Sequence, residues 1–449
     1  MYDEIMKLLE EKQFNKARNE VLNNNEAYIA EIIEDAIKEV SIEKTIILFR
    51  MLPKDISAEV FSFLSNDTKL EIINGITDKE IQYIVDELFF DDMIDLLEEL
   101  PANVVKKILS RTEKEKRKLI NQFLKYPVDS AGSLMTIEYT DLKKEMTVKE
   151  AIGYLKEHGI SKETIYTCYV MDAGRRLEGI VPLRQLIISE DDTILKDIMD
   201  TDVISVNAYD DQEEIAKVFM KYDFIALPVV DKENRLVGII TIDDIIDVIE
   251  QENTEDFHRM AAIMPSEKQY LGSSAFFLAR QRIPWLLVLM FSSIITGSII
   301  GKFQLVLSQV IALVTFLPMV MGTGGNAGAQ SSTLVIRGMA VGDIELSDIL
   351  RVIWKEVKVS AIVGIFLSLF NFVRIYVVGN GSLLLAITVS LSLFLVVLSA
   401  KVIGGTLPII AKKAGIDPAI MANPFIASLT DMISVTIYFI LATILLGIG

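Results

Sequence analysis

Apolar positions change their spacing twice along the chain, and each change marks a different kind of structure. Up to about Tyr126 they recur at helical intervals, as in Ile29, Ile32, Ile33, Ala36 and Ile37, and again in Ile81, Ile84, Val85 and Leu88. Thr77/Glu80 and Thr112/Glu115 have capping-box spacing. Leu52-Pro53 and Leu100-Pro101, 48 residues apart, each end an amphipathic run. Short helices with a recurring break predict a superhelix of weak repeats over residues 1–128, with an irregular helical bundle as the alternative.

Short apolar strands then alternate with helical stretches, and the sequence repeats. Tyr169-Val170-Met171-Asp172 and Arg176-Leu177-Glu178-Gly179-Ile180-Val181 return 59 residues later as Pro228-Val229-Val230-Asp231 and Arg235-Leu236-Val237-Gly238-Ile239-Ile240. Each copy predicts strand, turn, strand and helix, after an amphipathic helix that starts near Thr147 or near Asp211. Leu134-Met135-Thr136 and Asp197-Ile198-Met199-Asp200 open the copies, which gives domains at 129–195 and 196–250.

From residue 283 the pattern becomes long apolar runs. Five spans are predicted: 283–301, 305–336, 359–378, 383–410 and 421–448. The first, 19 residues long, gives about 28 Å of helix, enough for a hydrocarbon core. The fold class is therefore multidomain. A helical superhelix leads into an α/β tandem pair, an acidic connecting helix over 251–282, and an all-α membrane domain of five helices over 283–449.

Charge sharpens this division. Residues 283–449 carry nine Lys and Arg against six Asp and Glu, so the chain total of −18 leaves −21 for residues 1–282. The start is acidic and lacks an apolar signal segment, which predicts a cytosolic first half. Such an acidic half argues for cations and against nucleic acid as partners. Basic residues in short loops orient the spans. Arg280, Arg282, Arg337, Arg351, Lys355, Lys358, Lys412 and Lys413 fall on one side, against Lys302 and Arg374 on the other. The N-terminus is then cytoplasmic and the C-terminus extracytoplasmic, in a multi-pass protein of the cell membrane. The single cysteine, Cys168, excludes an intramolecular disulfide, and two histidines are too few for a zinc or iron centre. No nucleophile–base pair or intact P-loop emerges, so the chain does not read as an enzyme.

Three features carry candidate chemistry. Asp431 is the one charged residue in 421–449. An ionised carboxylate near the bilayer centre costs roughly 2.5–3.5 kcal/mol on insertion scales. It is retained where it meets a partner, a water-filled cavity or a passing ion. Span two holds Pro318-Met319-Val320-Met321-Gly322-Thr323-Gly324-Gly325-Asn326-Ala327-Gly328-Ala329-Gln330, which lacks the Lys-Ser/Thr end of a phosphate loop. Its glycines suit close helix packing, and Asn326 and Gln330 are amides at membrane depth. They are either satisfied within a helix bundle or line a wall facing hydrated ions. Asp247, Glu250, Glu252, Glu255 and Asp256 crowd the start of the linker, with Glu252, Glu255 and Asp256 on one helical face. They form a solvated face, or a weak all-oxygen sensor in which divalent cations bridge repelling carboxylates.

The tandem repeat resembles a CBS-domain pair. In that family a Thr/Ser-x-x-Asp step often holds the ribose and phosphate of an adenine nucleotide. Thr241-Ile242-Asp243-Asp244 matches it, and Pro182-Leu183-Arg184-Gln185 does not. The resemblance thus implies ATP as a regulatory ligand at Thr241 and Asp244, with a purely structural pair as the alternative. Gly322 to Leu334 and Asn423-Pro424-Phe425-Ile426-Ala427-Ser428-Leu429-Thr430-Asp431 resemble the two membrane signatures of the MgtE-type magnesium channel family. The order of domains matches that family along the whole chain.

This resemblance implies a homodimer that conducts Mg²⁺ along spans two and five. Asp431, Asn326, Gly325 and Asn423 would meet the ion in the pore. It further implies Mg²⁺-sensing positions at Asp91, Asp211, Glu213, Asp223, Asp244, Asp247, Glu252, Glu255, Asp256 and Asp417. The expected function is a Mg²⁺-selective, channel-like importer gated shut by cytosolic Mg²⁺. The alternatives are a carrier for Mn²⁺ or Co²⁺ and a membrane-anchored nucleotide sensor.

Overall fold

The computed structural model describes residues 2–39, 42–266, 270–378 and 382–447, so Ile448 and Gly449, at the end of the expected span five, lie outside the described residues. The chain divides into two compact units, residues 1–249 and 250–449.

The first unit begins with a run of short helices from Tyr2–Glu10 to Lys114–Phe123. Their apolar faces meet in one core, where Ile29, Ile33, Phe61, Ile72, Val85 and Met93 are fully buried. The proline breaks are real. Pro53 and Pro101 each sit at a helix N-cap, where the missing N–H removes no intrahelical bond. The Thr77/Glu80 capping box forms, with Thr77 N–H donating to Glu80 Oε2 at 2.6 Å. The Thr112/Glu115 box does not. Thr112 closes the preceding helix instead, donating its hydroxyl to Ile108 O at 3.0 Å, and Glu113 takes the N-cap. The next helix starts at Lys114, one residue too late for Thr112 to stand at its N-cap.

The repeat folds as two matching three-stranded sheets. In the first, β1 (Asp141–Lys143) runs parallel to β2 (Thr167–Met171), which pairs antiparallel with β3 (Leu177–Pro182). The second repeats this with β4 (Val206–Asn207), β5 (Ala226–Val230) and β6 (Leu236–Thr241). The segments that open the copies cross over. Thr136 N–H donates to Ile239 O in β6 at 2.8 Å, and Asp200 N–H donates to Ile180 O in β3 at 2.9 Å. This crossing explains the repeated glycine. A Cβ built on Gly179 would lie 2.8 Å from Asp200 O, and one on Gly238 would lie 2.7 Å from Thr136 O.

The helix Ile242–Met260 follows β6 and carries Glu252, Glu255 and Asp256 in its second half. It ends before Ala262, whose φ of 54° is left-handed. The connecting helix is thus continuous with the last helix of the repeat, and residues 275–282 of the expected linker belong to the first span.

Among the described residues, the membrane unit contains five helices long and apolar enough to cross a bilayer. They are span one (Ala275–Lys302), span two (Leu317–Ala340), span three (Ile349–Val373), span four (Leu383–Lys413) and span five (Asn423–Leu446). Span four is the centre, with half of its apolar window buried against 6% in span one. Its inward face includes Val389, Leu393, Val396, Val397 and Ala400, while span three turns Ile362, Phe366 and Phe370 outward.

The crossed repeat yields a paired prediction. Gly238→Ala drives a methyl group onto the Thr136 carbonyl and should destabilise the first unit by about 1–3 kcal/mol. Gly153→Ala, in an exposed helix position with open space around it, should be neutral or stabilising by about 0.5–1 kcal/mol. Thermal unfolding of the purified chain reads both; equal shifts of the same sign would contradict the crossed packing.

Candidate functional site

The expected site residues gather in two places, one in each unit. In the membrane unit, Asp431 lies eight residues into span five, about 12 Å along the helix. It is half-buried and faces bare backbone. A Cβ built on Gly325 would lie 3.5 Å from Ala427 Cβ and 3.9 Å from Asp431 Oδ1. Span two comes this close because its neighbours are also stripped of side chains. A Cβ on Gly404 of span four would lie 2.1 Å from Gly328 O, and one on Gly328 would lie 2.7 Å from Ile426. Two hydrogen bonds flank the crossing. Ser332 donates to Met421 O at 2.7 Å, and Tyr438 donates to Leu313 O at 2.9 Å.

Gly325 and Asp431 are therefore brought together. Asn326 and Asn423 are not; both are exposed in the single chain. Gly322, Asn326 and Gln330 form a stripe along span two at i, i+4 spacing. This corner can offer a cation one carboxylate while leaving most of its water shell in place.

In the first unit, Asp91 stands inside a helix rather than at its cap. Phe89 is the N-cap, and Asp91 is buried in the first turn of the helix Phe90–Glu99. Asp91 accepts from Asp92 N–H at 2.9 Å, and Asp244 accepts from the Thr241 hydroxyl at 3.0 Å. Burial, with Asp244, Asp92 and Glu163 nearby, holds the Asp91 carboxyl well above the usual carboxylate range. Burial and then Asp243 push Asp244 up to about 8. Asp92 is raised by burial and by Asp243 and Asp247, against the pull of Lys69. Glu163 was not anticipated. Burial, then Asp243 and Asp92, push it to about 7, and its Oε2 has no hydrogen-bond partner. Nothing in the sequence marks this lone loop acid, since only the fold brings it to the others.

Asp211, Glu213 and Asp223 are not gathered with them into one cluster. Asp211 caps the helix Gln212–Tyr222, accepting from Glu213 N–H at 3.0 Å, and Asp223 closes the same helix. Glu213 pairs with Lys217 at 2.9 Å. In the second unit, Arg259 pairs with both Glu255 and Asp417, which ties the end of the connecting helix to the turn before span five. Arg259 carries no mark in the sequence, since its partner Asp417 lies 158 residues away. Among the described residues, no group of three or more Asp, Glu, His or Cys side chains is placed to hold a metal ion by itself.

These features define a multi-pass membrane protein with a carboxylate set between glycine-faced helices and a CBS pair in its first unit. Family models agree piece by piece. Residues 317–441 match the MgtE divalent cation transporter model, 25–129 the MgtE intracellular N domain and 195–251 a CBS domain. The magnesium transporter MgtE of Thermus thermophilus is 38% identical over 90% of both chains. That of Bacillus subtilis is 36% identical over 88% of this chain and 90% of its own. A solved cytosolic domain of the Mg²⁺ channel MgtE in complex with ATP is 32% identical, with a TM-score of 0.52, and covers 55% of this chain and all of its own. The chain belongs to the MgtE family of divalent cation transporters.

The buried acids set a pH dependence. An acid whose pKa is raised on folding binds more protons folded than unfolded, so stability falls as pH rises. The window runs from the ordinary carboxylate range to about 7 for Glu163 and about 8 for Asp244. With divalent ions chelated, the first thermal transition should drop between about pH 5 and pH 8 as those carboxyls are forced to ionise. Asp244→Asn should flatten the drop; a profile rising with pH in the wild type would contradict the arrangement.

Proposed function

We propose that this chain is a Mg²⁺-selective, channel-like importer of the cell membrane. The observation that carries this reading is the Asp431 carboxylate set against the bare backbone of Gly325. Mg²⁺ sheds water slowly and prefers octahedral oxygen. A site offering one carboxylate per chain recognises the hydrated ion through its waters and still releases it. The stripe of Gly322, Asn326 and Gln330 suits a second copy across a water-filled path, so the working unit is a homodimer with Asn326 and Asn423 at the path. The relatives' names point to magnesium, and the carboxylate set beside Gly325 supports a divalent ion there.

Cytosolic Mg²⁺ closes the path in this reading. The acids at Asp91, Asp244 and Asp247 repel one another until a cation neutralises them, while Asp211, Glu213 and Asp223 would add their charge from a separate helix, outside that cluster. Glu252, Glu255, Asp256 and Asp417 add a second acidic set, on the connecting helix and the turn before span five. The N-terminus faces the cytosol, in keeping with the basic loops. Thr241 and Asp244 offer a hydroxyl and a carboxylate at one helix start, where they would hold the ribose of ATP. The first copy has Pro182 and Gln185 at these positions and so lacks both groups.

Asp431→Ala should abolish Mg²⁺ uptake by vesicles while the protein remains inserted and dimeric; undiminished uptake would remove the pore assignment. Neutralising Glu252, Glu255 and Asp256 together should preserve conduction and raise the cytosolic Mg²⁺ needed for closure. Patch recordings with unchanged closure would contradict the sensing role. A carrier for Mn²⁺ or Co²⁺ would instead give saturable flux without single-channel steps.

A further inference from the structure

The membrane unit contains a second set of charges, away from Asp431. Lys401 of span four is 5% exposed and Ser331 of span two is 1% exposed. Lys401 Nζ donates to Ser331 Oγ at 3.3 Å, and Ser331 Oγ donates to Glu356 Oε2 of span three at 2.7 Å. One hydroxyl thus links a buried ammonium to a carboxylate across three helices. Gly405, one turn beyond Lys401, makes room for the carboxylate stem: a Cβ there would lie 2.9 Å from Glu356 Cγ. Charges at membrane depth are retained only with partners, and such groups mark function more often than packing. The next residue, Ser332, is the one bonded to Met421 O just before span five. Adjacent serines therefore tie span two to spans three and four on one side and to the start of span five on the other. Gly325 lies six residues back along span two, about 9 Å.

Resting on the reading of Asp431 as the cation site, we propose that Glu356, Ser331 and Lys401 are positioning residues for transport. Their serine-bridged charge pair sets the axial register of span two against span five, and so holds the Gly325 backbone opposite Asp431. The network acts through the helix that carries the glycine. Losing one charge strands the other in a low-dielectric interior and shifts span two. Losing both removes the strain and leaves register to the glycine contacts.

The test uses the full chain in lipid vesicles with Mg²⁺ as the probe ion. Lys401→Met and Glu356→Gln should each raise the Mg²⁺ concentration for half-maximal influx about tenfold, and the double variant should return within about threefold of wild type. Ser331→Ala keeps both charges, removes only the link, and should move the same quantity in the same direction. It serves if a single-charge variant fails to insert. A merely structural role would lower the amount of folded protein without changing half-saturation. Unchanged half-saturation in Ser331→Ala, or single effects that simply add in the double variant, would overturn the proposal. Asp431→Ala in the same vesicles separates the two claims. Influx surviving that change overturns the cation site and the register said to serve it. Influx lost there, with half-saturation unmoved in the network variants, overturns the network alone.

Discussion

A carboxylate at membrane depth must be solvated by something other than lipid, and the membrane unit is arranged around that requirement. Among the described residues, no cationic side chain pairs with Asp431. Its neighbour is the backbone of Gly325, and backbone is reachable only because no side chain intervenes. The same condition recurs at Gly328 and Gly404, where any Cβ would collide with a neighbouring helix. Small residues let helices approach closely in lipid, where no hydrophobic force draws them together. The glycines thus serve two ends: they hold spans two, four and five together, and they leave one carboxylate edge facing polar backbone.

The first unit is governed by the opposite sign of the same electrostatics. Asp91, Asp92, Asp243, Asp244, Asp247 and Glu163 crowd one another, so bringing them together is unfavourable when all are ionised. Protons or cations relieve that repulsion. In the proposed closure by cytosolic Mg²⁺, that repulsion is what a divalent ion would relieve by differential binding. Arg259 does for Glu255 and Asp417 what a metal would do for a pair of acids, and it joins the connecting helix to the turn before span five.

Much of this architecture is legible in the sequence because it depends on local periodicity. The five spans follow from apolar run length, and the tandem sheets follow from a 59-residue repeat whose glycines recur in register. A local rule failed where the helix start shifted by one residue: Glu113 takes the N-cap, and Thr112 bonds backward to Ile108. The site was legible only in part. Asp431 stands out because its surroundings are apolar in sequence as well as in space. Glu163, Arg259 and the Glu356–Ser331–Lys401 chain do not stand out, since each gains its meaning from residues far away along the chain. Glu163 lies 80 residues before Asp243, and Lys401 lies 70 after Ser331. Only tertiary packing makes them neighbours.

The most direct measurement of the central claim is the position of a divalent ion in the membrane unit. Mn²⁺ can stand in for Mg²⁺ and be located by anomalous scattering from crystals of the full chain. The account predicts a peak beside the Asp431 carboxylate, opposite Gly325, at about 4 Å if the ion keeps its inner waters. Mn²⁺ sites confined to the first unit, with none near Asp431, would contradict it.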